Sequence, residues 1–136
     1  MNVKRLLHKK TKTYDEFGEF LRGFVTDLNN LSEDGWSILV EGPRDAQALR
    51  RLGYVGNVVT VSRVVRKRNA AFGNDREIVI LTDLDREGAV LAARYIKRLS
   101  HDGFKTSLAE RQRLKNASHG VFLHIENLSR FAPTED

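Results

Sequence analysis

The stretch Glu77-Ile-Val-Ile-Leu-Thr-Asp83 constrains the fold more than any other part of the chain. Its middle is apolar at consecutive positions, with no alternation of apolar and polar residues. Such a strand is covered on both faces, as inside a parallel sheet wrapped by helices. The flanking sequence supplies the rest of the sheet. Trp36-Ser-Ile-Leu-Val-Glu41 reads as a short buried strand, Asn57-Val-Val-Thr-Val-Ser62 as another, and residues 104–109 as a fourth. Pro43 suits the first turn of a helix that carries Ala46, Leu49 and Leu52 and is closed by Gly53. After Asp83 a second helix places Ala89, Ala92, Ala93, Ile96 and Leu99 on one side and Arg94, Lys97 and Arg98 on the other, up to Gly103. Residues 63–76 have no clear period and read as a loop or short helix. Residues 121–125 read as a strand or a last helical turn. Strands alternating with helical connections make this an α/β chain with a mostly parallel sheet.

Ahead of the sheet, Phe17, Phe20, Leu21, Phe24, Leu28 and Leu31 recur at spacings of three and four, which predicts an amphipathic helix over 14–31. Residues 1–12 are basic and read as a loose lead-in. The 136 residues fit one domain with a real core. With no cysteine, disulfides and thiolate metal sites are excluded. No apolar run approaches the ~20 residues of a membrane span, and MNVKRLLHKKTK lacks the apolar stretch of a secretory signal. A cytoplasmic protein without membrane contact is expected. Twenty-three Lys and Arg against 18 Asp and Glu give a net charge of +5, which suits a polyanionic partner.

Two of the strands end in acids. Glu41 closes one, and Asp83 closes another with Asp85 two residues on. Parallel strands bring such ends to one sheet edge, where ligands bind in open α/β sheets. Carboxylates gathered there repel one another unless a cation or proton intervenes, and Mg²⁺ takes oxygen ligands of this kind. Each acid also has a plainer reading. Asp85 could cap the following helix with Glu87 in its first turn, and Glu41 and Asp45 could belong to a turn and a helix start.

Taken together, Val40-Glu41-Gly42-Pro43-Arg44-Asp45 and Asp83-Leu84-Asp85-Arg86-Glu87-Gly88 resemble the two signature motifs of the Toprim domain. That domain is shared by topoisomerases, bacterial-type primases, the ribonuclease that matures 5S rRNA, OLD-type nucleases and RecR proteins. The resemblance covers roughly residues 36–110 and implies a Rossmann-like, mostly parallel four-stranded sheet flanked by helices, with the N-terminal helix added. It divides the chain into a lead-in and helix (1–35), a Toprim domain (36–126) and a tail (127–136). It also implies that Asp83 and Asp85 bind Mg²⁺, for which Mn²⁺ could substitute. Glu41 would act as general acid or base or as a further ligand, and Asp45 would support the site or a second ion. Gly42 and Gly88 would allow close backbone approach. Metal held this way stabilises charge on a scissile phosphate and activates water.

Two basic clusters, Arg63, Arg66, Lys67 and Arg68, then Arg111, Arg113 and Lys115, could grip a phosphate backbone or be solvated loops. Few aromatic residues interleave with them, which favours structured nucleic acid over unpaired bases. His119 and His124 lack zinc spacing and read as ordinary polar or core residues. No room is evident for topoisomerase gates or a primase zinc module. The expected function is Mg²⁺-dependent hydrolysis of structured RNA, with DNA second and a partner protein or second copy completing the grip. The alternative is a non-catalytic docking module for nucleic acid or protein.

Overall fold

The computed structural model describes residues 3–134, with side chains described for all of these but residues 6–11. Helix α1 (Val3–Glu33) leads into β1 (Trp36–Val40), α2 (Pro43–Arg51), β2 (Val58–Thr60) and α3 (Val61–Lys67). A 3₁₀ segment, Arg68–Phe72, precedes β3 (Glu77–Ile80), α4 (Arg86–His101), β4 (Lys105–Ser107) and α5 (Ala109–Ser118), and a second one spans Ile125–Phe131. The four strands form one all-parallel sheet in the order β2-β1-β3-β4. The register sets Ile38 against Val58, Ile38 against Val79, and Val79 against Ser107. From β1 the chain steps to β2 on one side and then crosses to β3 on the other. The gap between β1 and β3 is therefore a topological switch point, where a ligand crevice opens.

Side chains of β1 and β3 alternate between two cores, as a strand buried on both faces requires. Ile38, Val40, Val79 and Leu81 face one core with Phe17, Phe24, Leu28, Leu49, Leu114 and Ile125. Leu39, Ile78 and Ile80 face the other with Val64, Phe72, Ala92, Tyr95 and Leu99. Thus α1, α2, α5 and the last 3₁₀ segment cover one face, and α3, the first 3₁₀ segment and α4 cover the other. Among the described residues, no helix is long and apolar enough to cross a membrane.

The element pattern expected from sequence differs in four places. The lead-in is helical from Val3 onward, so α1 is longer than its apolar stripe; Lys12 and Glu16 pair at 3.9 Å along its exposed side. Met1 and Asn2 lie outside the described residues. The strand expected over 57–62 stops at Thr60, whose hydroxyl accepts the Arg63 N–H at 3.3 Å and caps α3. Residues 109–118 form a helix that a single large apolar residue, Leu114, left without a legible stripe. Residues 121–125 pair with no strand and lead into the 3₁₀ segment.

Arg68 stands out in the backbone. It holds φ 51° and ψ −135°, a region essentially reserved for glycine, and Gly73 adopts nearly the same angles a few residues later. Such a conformation costs an arginine about 1–3 kcal/mol.

Candidate metal centre

The loop after β3 is fixed from several sides. Leu81 donates its N–H to the Leu39 carbonyl at 2.8 Å, the last rung joining β3 to β1. The buried Thr82 hydroxyl then donates to the Gly88 carbonyl at 2.7 Å. Asp85 caps α4, accepting the Gly88 N–H at 2.8 Å with Oδ1, while its Oδ2 lies 3.8 Å from His124 Nδ1. The capping reading of Asp85 therefore holds. Gly88 is obligatory, since a Cβ there would fall 1.8 Å from the Asp83 carbonyl oxygen. The close approach it permits is to the chain's own backbone. A Cβ on Gly42 would meet nothing within 4 Å.

Glu41, at the end of β1, reaches across the switch point and accepts the Asp83 N–H at 3.2 Å. Residues 42 positions apart are thus joined at one sheet edge. Asp45 is buried and accepts the Gly42 N–H at 3.0 Å, closing the turn that starts α2. Burial, first, and the charges of Asp83, Asp45 and Asp85 push the Glu41 pKa up, against the Asp83 amide that lowers it. Burial likewise raises Asp45, helped by Asp83 and Glu126 and opposed by the Gly42 amide. The edge thus carries more negative charge than its protein surroundings compensate.

The C-terminal segment completes the site. Leu84 donates its N–H to the Leu123 carbonyl at 2.7 Å, and Ile125 donates its own to Asp83 Oδ1 at 2.8 Å. Between them, His124 Nδ1 lies 3.3 Å from Asp83 Oδ2 and 3.8 Å from Asp85 Oδ2. The Asp83 contact, first, and the neighbouring acids raise the His124 pKa. One ligand atom from each of Asp83, Asp85 and His124 falls within 4.8 Å of the others, a donor set suited to a divalent cation. His124, expected to be an ordinary polar or core residue, is instead half-exposed in the acid cluster. Its signal in the sequence is faint: an apolar-flanked histidine far from the motifs.

The basic residues divide. Arg111 is not a surface cation. It is buried, with Nε donating to the Thr82 carbonyl at 3.3 Å and Nη2 to the Asp83 and Asp85 carbonyls at 2.6 and 3.4 Å. Its guanidinium clamps the loop from behind, where burial lowers its pKa and Asp85, Glu41 and Asp83 oppose that shift. Arg113 pairs with Asp27 of α1 at 3.1 Å and lies over Phe20 and Phe24. Lys115 is exposed on α5, and Arg63, Arg66, Lys67 and Arg68 are exposed along α3 and its end. Beside the acids, an open cleft of about 430 Å³ is lined by Glu41, Arg86, Glu87, Val90, Leu91 and Arg94.

This arrangement agrees with what the chain is similar to. The Toprim domain model matches residues 36–116. A UPF0292 protein of Pyrococcus abyssi is 34% identical over 113 residues, covering 82% of this chain and 86% of its own. Another, of Methanocaldococcus jannaschii, is 30% identical over 123 residues, covering 84% and 91%. A solved structure of a protein from Aquifex aeolicus superposes with a TM-score of 0.64 at 27% identity, over 77% of this chain and 94% of that one. With both acidic motifs at the switch point of a four-stranded parallel sheet, the chain belongs to the Toprim-domain proteins and, among them, to the UPF0292 family.

Proposed function

We propose that this protein hydrolyses phosphodiester bonds of structured RNA with the help of a divalent metal ion. The observation that carries the reading is the donor set of Asp83, Asp85 and His124 beside a Glu41 whose pKa is raised. Asp83 and Asp85, with His124 as a nitrogen donor, would hold Mg²⁺ or Mn²⁺. Such an ion supplies charge neutralisation at the phosphate and a more acidic bound water. The chain's own residues do the rest. Glu41, steadied by the Asp83 amide, would pass a proton to or from an oxygen in the adjoining cleft, and its raised pKa would bring that exchange nearer neutrality. Asp45 keeps the Glu41–Gly42 turn in place and adds negative charge behind it. The room over Gly42 leaves space for a phosphate.

Incubating purified full chain with a labelled RNA hairpin tests this. Cleavage is expected with Mg²⁺ or Mn²⁺, none with EDTA, and a fall of about 100-fold or more in Asp83→Asn. RNA that is bound but left intact under every metal would overturn hydrolysis in favour of docking.

A further inference from the structure

A second feature lies on the α3–α4 face of the sheet. An open groove of about 580 Å³ runs between the first 3₁₀ segment and α4, lined by Arg68, Arg94, Lys97, Arg98 and His101. Asp102, an acid on the same wall, lies with its Oδ1 3.4 Å from His101 Nδ1. On α4, Lys97 and Arg98 each lie three or four residues from both Arg94 and His101, so the four border one face. That face continues towards the metal centre: Glu87, Val90, Leu91 and Arg94 line the cleft beside Glu41, and Arg94 belongs to both hollows. From Glu87 to His101 the helix rises about 20 Å, enough to follow several phosphates of a strand.

Arg68 supplies an independent sign. At Gly73 the chain makes nearly the same backbone turn with the residue that makes it freely, yet at the groove wall it uses an arginine. A strained, non-glycine residue kept at a charged groove is the pattern of a side chain retained for what it contacts. The other cations of the cluster at 63–68 do not line this hollow.

We infer that this groove is the track for the phosphodiester backbone of the RNA whose scissile bond enters the acid site. Arg68, Lys97 and Arg98 form its far end and Arg94 its junction with the cleft at Glu41. The inference rests on the hydrolytic reading above but concerns binding, so it can fail separately. Cations spaced along one helix face neutralise successive phosphates without reading bases, so affinity should be strongly salt-dependent and weakly sequence-dependent.

The test is fluorescence anisotropy on the full chain with a labelled RNA hairpin in EDTA, where no cutting intervenes, over a range of salt. Arg94→Gln/Lys97→Gln is expected to flatten the slope of log affinity against log salt by about two, and Arg68→Gly by about one. Arg68→Gly should also melt higher than the parent, since glycine relieves the backbone. Arg22→Gln, on α1 across the sheet, removes one charge and should leave the slope unchanged. Unchanged slopes in the groove variants, or an equal loss in Arg22→Gln, would overturn the track, as would tighter binding of the matching DNA hairpin overturn RNA as its occupant. Loss of binding in groove variants of a protein that never cuts RNA would keep the track and discard hydrolysis.

Discussion

On the proposed reading, His124 would change the ligand chemistry of a site otherwise built from carboxylate oxygen. Imidazole suits Mn²⁺ better than Mg²⁺, which prefers an all-oxygen shell with several waters. His124→Ala is therefore expected to weaken Mn²⁺ binding by about tenfold while Mg²⁺ changes by less than about threefold. Paramagnetic titration for Mn²⁺ and calorimetry for Mg²⁺ would check this, and equal losses for both ions would remove His124 from the ligand set. The same residues set the pH response of the metal-free chain. The raised Glu41 and Asp45 impose a penalty that is full above their folded pKa values and absent below their ordinary values of 4.5 and 3.8. His124, raised from 6.5, adds stability below that value and loses it as pH rises through its folded pKa. All three favour the protonated folded state, so the melting temperature without metal should climb as pH falls from about 8 to about 5. Saturating Mn²⁺ should reverse the trend, because protons then compete with the ion.

At the scale of elements, α5 matters for what it holds from behind. Arg111 satisfies three carbonyls of the loop that carries Asp83 and Asp85 with one planar group. Lysine cannot reproduce that fork. Arg111→Lys is expected to cost about 3 kcal/mol of stability in chemical denaturation and to weaken metal binding without touching any ligand. A neutral effect on both would show that the loop keeps its shape unaided. This element also shows where the sequence could be read and where it could not. β1 and β3 were legible because a strand buried on both faces leaves a continuous apolar run, and the acids were legible because they sit at its end. α5 was not, because its buried face is partly polar: Glu110, Arg111 and Ser118 are inside with Leu114. Charge in a sequence signals solvent by default, so Arg111 passed for a surface cation. His124 escaped because its partners lie 39 and 41 residues away, joined by a segment without helical or strand period.

Over the whole molecule, the C-terminal segment ties the site to the rest. Tyr14 and Phe17 of α1 stack on Phe131 and Phe122 at 4.4 and 4.8 Å, and Leu128 is buried with Phe17 and Phe122 in the same core. The stretch after α5 is thus a wall of the centre, although the family match ends at residue 116. A chain ended at residue 131 should keep its metal-induced rise in melting temperature, about 10 °C at ~100 times the dissociation constant. A chain ended at residue 118 should lose that rise entirely, and a full rise there would make the wall dispensable. The Asp83–Ile125 bond, spanning 42 residues, has a consequence in time as well. Synthesis at about 5–20 residues per second separates the motif aspartates from His124 by roughly 2–8 s. During that interval both acidic motifs have been made, but the centre lacks its closing wall. On the hydrolytic reading, RNA-cutting chemistry is thereby withheld from a nascent chain while it is still tethered beside the ribosome's own RNA.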